Sequence, residues 1–298
     1  MQAGQTAEIV ATNLRVLAAL HRVLDILEGL PVVVFKGPLL TQRAYGHLGA
    51  RASADNDLWV PDQAAEEALA RLLAAGFSPA TPLDPAVAIE HRGQVALWPQ
   101  GDPDQVSVDL HVRPFARPYF EVDAQVLLEH LQTDTSTGRP VQTFDGPLAF
   151  CHAVAHYVQH HLPDEQLGLI RQLWSRLVNG EPDRRGKGEL LALVDATCGS
   201  AAASLALWRS GELDGLGSGR REPEGRARQV AHLLAIFRGS PPGVLRKLAA
   251  LYLTAPERLL SGTWDSAFPP QSLLQERYGL GPRGWLLLRH VLRVLGER

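Results

Sequence analysis

Apolar residues at Val10, Leu14, Leu17, Leu20, Leu24 and Leu27 recur every three or four positions between Thr6 and Glu28, and the chain then meets Gly29. That spacing predicts an amphipathic helix stopped by glycine. The period then changes. Pro31-Val32-Val33-Val34-Phe35 is short, β-branched and apolar throughout, and it ends at Lys36-Gly37, which predicts a buried central strand. Pro38 suits the first turn of a helix reaching about Tyr45. Gly46 and Gly49 mark a loop that leads to Asp55-Asn56-Asp57-Leu58-Trp59-Val60, a strand with an acidic mouth. Asp62 to Ala75 reads as a helix with Ala65, Leu69, Leu72 and Leu73 on one face, ended by Gly76.

From Phe77 to Pro114 the pattern predicts strands. Val87-Ala88-Ile89 and Val95-Ala96-Leu97-Trp98 flank Arg92-Gly93, and a third run covers Val106 to Val112. This last run alternates, with Val106, Val108, Leu110 and Val112 on one face and Ser107, Asp109 and His111 on the other. The polar face must meet water, ions or ligand. Beyond about residue 120 the pattern reads as helix almost throughout, over 122–132, 147–161, 164–178, 188–197, 201–209, 225–238, 242–252 and 282–296. Gly211 to Gly225 reads as an exposed loop. The expected fold class is α+β: a mixed sheet with helices over residues 1–120, then an all-helical part over 121–298.

Composition narrows the class. The 298 residues are 45% hydrophobic and 20% charged, and no apolar run approaches the roughly 20 residues of a membrane span. Disorder, coiled coil and transmembrane classes fit poorly. Cys151 and Cys198 form no disulfide framework or zinc pattern, and no signal core opens the chain, so a reducing cytoplasm is the expected address. Residues 1–200 carry a formal charge of −9 and residues 201–298 one of +6, which suggests two parts. Only Lys36, Lys187 and Lys247 are lysines among 29 basic residues. Trp174, Trp208, Trp264 and Trp285 read as core of the helical part.

The chemistry concentrates in three acids. Asp55 and Asp57, at i and i+2 of one strand, point to the same face, and Asp109 lies on the polar face of a later one. Converging carboxylates repel unless a cation is present, and Mg²⁺ takes carboxylate and phosphate oxygens together. The plainer alternative makes Asp55 a turn cap, Asp57 a strand start and Asp109 an exposed strand residue.

Val33-Val34-Phe35-Lys36-Gly37-Pro38-Leu39-Leu40, Tyr45-Gly46, Arg51, Asp55-Asn56-Asp57-Leu58-Trp59-Val60, Gly76-Phe77 and Val108-Asp109-Leu110-His111 resemble the uncharacterised nucleotidyltransferase family of the DNA polymerase β-like superfamily. The likeness continues at the Pro147-Leu148 opening that leads to Cys151-His152 and His156, and at Phe268-Pro269-Pro270 ahead of Arg277-Tyr278-Gly279. It implies a magnesium-dependent, ATP- or other nucleotide-binding transferase that moves a nucleoside monophosphate from an NTP to an acceptor and releases pyrophosphate. The acceptor would be a small molecule, peptide or protein hydroxyl bound by residues 121–298. Asp55, Asp57 and Asp109 would hold two Mg²⁺ ions, with Mn²⁺ as a substitute, and Asp109 would help deprotonate the acceptor. Lys36 and Gly37 would contact phosphates at a helix N-terminus, Arg51 would clamp a phosphate, and His111 would orient triphosphate or acceptor or simply bond a neighbouring loop. The wider superfamily begins this site with Gly-Ser, whereas Pro38 here removes a backbone donor. Asn56 replaces the usual branched apolar residue. These departures motivate an alternative, a nucleotide-binding or regulatory protein of the same fold without turnover.

Other signals have competing readings. His152, His156 and His160 recur every four residues, as polar helix positions, an acceptor-pocket wall or a metal site. Arg113 and Arg117 read as phosphate contacts or solvated charges. Basic residues after position 200 are spread over several helices with few aromatics, which argues against nucleic acid as a partner.

Overall fold

The computed structural model describes residues 3–81, 84–101, 106–117, 119–179, 187–212, 222–236, 243–259, 271–279 and 282–296. Trp264, the Phe268-Pro269-Pro270 stretch and most of the expected Gly211–Gly225 loop lie outside them. The chain forms two compact units, one of Met1–Pro114 with Asp123–Ala149 and one of Phe115–Val122 with Phe150–Arg298.

The first unit is built on a mixed seven-stranded sheet in the order β3-β4-β5-β2-β1-β7-β6. Its elements are α1 (Ala3–Ile26), β1 (Val33–Val34), α2 (Gly37–Tyr45), β2 (Asp55–Trp59), α3 (Asp62–Ala74), β3 (Phe77–Pro79), α4 (Pro85–Arg92), β4 (Gln94–Pro99), β5 (Ser107–His111), α5 (Ala124–Glu129), β6 (Leu131–Asp134) and β7 (Val141–Phe144). β2 runs parallel to β5 and antiparallel to β1, and β1 runs parallel to β7. The alternation along β5 holds on its apolar side, where Val108 and Leu110 are fully buried. On its polar side Ser107 and His111 are also buried and only Asp109 is partly open, so protein rather than water covers most of that face.

Three expectations about the first unit need correction. Val87-Ala88-Ile89 belongs to helix α4 and not to a strand: Asp84 caps it by accepting from the Ala86 N–H at 2.8 Å, Pro85 sits in its first turn and Gly93 ends it in the left-handed region. Residues 131–144, expected to be helix and loop, form the β6–β7 hairpin, with the turn stabilised by the Ser136 N–H donating to Asp134 Oδ1 at 2.7 Å. In α1 the buried stripe runs through Asn13, Val16, Leu17, Leu20 and Val23 and on to Leu27 just past its end, while Leu14 is 53% exposed. A polar residue therefore occupies a core position that the leucine spacing gave to its neighbour.

The second unit is helical among its described residues. It takes α6 (Gly146–Gln159) from Phe150 onward, then α7 (Leu167–Asn179), α8 (Lys187–Thr197), α9 (Ser200–Ser210), α10 (Gly225–Ile236), α11 (Gly243–Thr254), α12 (Gln271–Tyr278) and α13 (Arg283–Gly296). α12 had no counterpart in the sequence pattern, whose apolar spacing there is poor. Trp174 is buried against Phe150, whereas Trp285, expected in the core, is 58% exposed on α13. Among the described residues no single helix is long and apolar enough to cross a membrane.

α6 ends sharply. His161 and Leu162 both adopt positive φ, a conformation costly for side chains with Cβ, and Arg209 holds the turn by donating to the Leu162 carbonyl at 3.0 Å and to Tyr157 Oη at 2.8 Å. Burial, and then the positive charges of Lys247, His160 and Arg246, press His161 down to about 4. Its folded value lies below the ordinary 6.5, so the unfolded chain takes up a proton there that the folded chain refuses. Stability from this residue is complete above about pH 6.5 and falls as pH drops toward 4. His161→Asn, which tolerates the same backbone, is expected to flatten the loss of urea midpoint between pH 7 and pH 4.5, read by tryptophan fluorescence. An unchanged slope would contradict the assignment.

Candidate active site

The parallel register of β2 with β5 sets Asp57 directly opposite Asp109 and Trp59 opposite His111. Because side chains alternate, Asp55, Asp57 and Trp59 share one face of β2, and Ser107, Asp109 and His111 share the same face of β5. One oxygen each from Asp57 and Asp109 and one ring nitrogen of His111 lie within 4.8 Å of one another. This is the group of potential metal ligands that the described residues bring together. Asp55 stands outside that tight group, two residues before Asp57 on the same face, close enough that its charge raises Asp109. Two carboxylates and an imidazole at this separation fit a divalent cation.

Lys36 and His111 both converge on Asp57. Lys36 Nζ donates to Asp57 Oδ1 at 2.9 Å, and His111 Nε2 approaches the same oxygen at 3.1 Å. With Nε2–H donating to the carboxylate, Nδ1 is left as the acceptor nitrogen, and it is buried without a hydrogen-bond partner. Phe35 meets the His111 ring edge-on at 5.0 Å, and Phe144 packs between Phe35 and Trp59. This aromatic wall keeps water from one side of the cluster and strengthens its charge interactions.

The three acids are consequently unlike. Asp57 is held well below the usual carboxylate range: burial acts against it, but the Lys36 charge and the His111 hydrogen bond prevail. Asp55 is raised, first by burial and then by the charge of Asp57, with Lys36 and Arg51 opposing. Asp109 is pushed up to about 7 by burial and by the charges of Asp57 and Asp55. His111 is lowered by burial, so it stays neutral beside Asp57.

Lys36 and Gly37 stand where β1 passes into α2. Gly37 has φ +72°, a left-handed conformation that favours glycine, and its Cα lies against the backbone of Asp55. Pro38 occupies the first turn of α2, as its fixed φ allows, and contributes no N–H. Arg51 is exposed on the loop before β2, and its charge reaches Asp55. Asn56 faces away from the acids, and its Nδ2 donates to the Val16 carbonyl of α1 at 3.2 Å, so the departure at that position bonds sheet to helix.

Sequence reasoning missed Asn13, fully buried in α1, whose side chain bonds the loop carrying Arg51. The signal was there: an asparagine in register with Val16, Leu20 and Leu27 at helical spacing. Arg113 turns instead to the end of α4, donating to the Ile89 carbonyl at 2.9 Å and to that of Glu90. Arg117 lies exposed in the second unit, 3.9 Å from Glu121. Along α6, His152 is buried with its ring edge-on to Phe115, and beyond it the His156 and His160 rings lie tilted to one another with centroids 4.1 Å apart. Among the described residues this histidine row joins no group of potential metal ligands.

Asp109 gives a pH signature to the metal-free protein. Its folded value of about 7 exceeds the ordinary 3.8, so the folded state holds a proton that the unfolded state releases. Stability therefore declines as pH rises from about 4 through 7. With EDTA present, Asp109→Asn is expected to melt higher than wild type at pH 8.5 by a margin that shrinks at pH 5.5. Equal margins at both values would contradict it.

In comparisons with known proteins, residues 3–177 match the family model described as uncharacterised nucleotidyltransferase. No curated protein and no solved structure matches. The matched stretch covers more than half of the chain and includes Lys36, Gly37, Arg51 and the whole Asp55–Asp57–Asp109–His111 cluster, and the protein belongs to this nucleotidyltransferase family.

Proposed function

We propose that the protein transfers a nucleoside monophosphate from a magnesium-bound NTP to an acceptor hydroxyl, with pyrophosphate as the leaving group. The observation that carries this reading is the side-by-side placement of Asp57 and Asp109 with His111 alongside, on one face of two interior strands and beside the turn into α2. Asp55, Asp57 and Asp109, with His111 beside them, would hold the metal. Bound there, the ion would offset charge on the phosphates and polarise the phosphorus under attack. Lys36 exchanges its ion pair with Asp57 for a phosphate oxygen, and Arg51, next to Asp55, holds the leaving pyrophosphate by charge-assisted hydrogen bonds. Asp109 stands nearest the role of orienting the acceptor hydroxyl and accepting its proton. The helical residues from Phe150 onward supply the acceptor surface.

A second reading, a nucleotide binder without turnover, draws on Pro38, which withholds one backbone donor from the phosphates. Both readings expect binding, and only the first expects pyrophosphate.

The test is thermal stability with ATP, GTP, CTP and UTP, with and without Mg²⁺, followed by pyrophosphate release in the presence of candidate alcohols. A saturating NTP at 100 times its Kd should stabilise the fold by about 2.7 kcal/mol, in a Mg²⁺-dependent manner. Asp55→Asn/Asp57→Asn should abolish that gain while leaving the protein folded. A gain that persists in the double variant, or no gain with any NTP, would remove the proposal. Binding without pyrophosphate from any acceptor would favour the second reading.

A further inference from the structure

Helix α1 lies against the face of the sheet that points away from the acids, as the Asn56–Val16 bond and the packing of Val16 and Ala19 on Val106 show. One of its side chains nevertheless reaches the loop that delivers them. Asn13 Nδ2 donates to the Leu48 carbonyl at 2.6 Å and to the Arg51 carbonyl at 2.8 Å, while Asn13 Oδ1 accepts the Ser53 N–H at 2.9 Å. The residue is fully buried, so its amide is shielded from water, and the bond from the Ser53 N–H is buried at both ends.

Only a carboxamide of this length suits the position. The loop presents two carbonyls and one N–H, and the asparagine answers with two donor hydrogens and an acceptor oxygen. Aspartate would turn an oxygen toward two carbonyls, and leucine would leave all three groups without this partner, the Ser53 N–H buried among them. The bonded groups bracket Arg51 and stop two residues short of Asp55.

A second contact fixes the same loop on the N-terminal side of Arg51. A Cβ on Gly49 would come within 2.6 Å of Thr6 Cγ2 and 3.3 Å of Val10 Cγ2, so the backbone at Gly49 lies flush on the first turns of α1. The Gly49 N–H also bonds His47 Nδ1 at 3.2 Å. Thr6, Val10, Asn13 and Val16 fall on one side of the helix, at steps of three and four. α1 thus serves as a template along which residues 47–56 are laid.

We propose that Asn13 is a positioning residue: its side-chain amide fixes the loop 47–54 on α1 so that Arg51 and Asp55 are presented together to the metal-bound triphosphate. This rests on the reading of the acid cluster as a metal–triphosphate site. A purely structural Asn13 would lower stability and leave ligand affinity alone; a positioning Asn13 acts through Arg51.

The experiment uses the full chain with Asn13→Ala, Gly49→Ala, Thr6→Ala/Gly49→Ala, Arg51→Ala, Asn13→Ala/Arg51→Ala, and Leu72→Ala as a buried control on α3. Hydrogen exchange over residues 47–54 reads the tether, and the Kd of Mg²⁺ with inorganic triphosphate reads the site, both well below the melting range. Asn13→Ala and Gly49→Ala are expected to speed exchange in the loop and to weaken binding about tenfold, as loss of a supporting partner commonly does. Removing the Thr6 methyl should restore the Gly49→Ala protein in both respects, and Leu72→Ala should change neither. Asn13→Ala/Arg51→Ala should bind no more weakly than Arg51→Ala alone. If Asn13→Ala does not fold, Gly49→Ala and its rescue carry the test. Unchanged exchange in the loop overturns the proposal, as does a double variant that weakens by the product of the single effects, or an Arg51→Ala loss with intact binding in Asn13→Ala. Faster exchange with binding insensitive to Arg51 itself overturns instead the triphosphate reading of this site, and the positioning role with it.

Discussion

Placing Asp57 opposite Asp109 on adjacent parallel strands, with Asp55 two residues away, gathers three carboxylates on a face largely closed to water. Like charges directly opposite in a sheet are destabilising, and burial enlarges the penalty. Much of the surrounding structure is arranged around that repulsion. Lys36 is brought to Asp57 by the end of β1, and His111 gives Asp57 a hydrogen bond from the neighbouring strand. Proton uptake relieves what remains, and it falls on Asp109, which burial first and then the charges of Asp57 and Asp55 push up to about 7. The cluster is therefore graded: Asp57 is held firmly ionised, while Asp55 and Asp109 are both raised, Asp109 to about 7.

The grading follows from backbone connections and not from residue type. Lys36 reaches Asp57 because β1 and β2 pair antiparallel, with Val34 opposite Leu58, so the residue after Phe35 emerges beside the acidic strand. Gly37 then makes the turn that starts α2 while lying against the Asp55 backbone. A helix beginning at that point turns its amide end toward anions, and Pro38 trims that donor set by one.

How far the sequence disclosed all this depended on the length of each pattern. The alternation of Val106 to Val112 spans seven residues, enough to assign Asp109 and His111 to one face, and the i, i+2 spacing of Asp55 and Asp57 does the same for β2. Four-residue strands such as Leu131–Asp134 and Val141–Phe144 are too short for periodicity to register, and only the Asp134-to-Gly138 turn residues marked them. Val87-Ala88-Ile89 looked extended because its residues favour strands, yet the Asp84 cap, Pro85 and Gly93 decided for helix. The register that makes Asp57 face Asp109 is a long-range pairing, as is the reach of Asn13 to Leu48 and Ser53, and no local window contains both partners.

The hairpin of β6 and β7 also sets a timetable. β1 is interior to the sheet only because β7 pairs on its far side, and β7 ends at Phe144, more than thirty residues after β5 has been made. During synthesis at about 5–20 residues per second, the strand that leads to Lys36 therefore has an open edge for some seconds after the acidic strands have emerged from the ribosome. An unpaired strand edge is a place where other chains can add. The segment Phe115–Val122, which belongs to the other unit, is threaded out before the sheet is finished, so the first unit cannot be completed by any nascent chain that stops near residue 120.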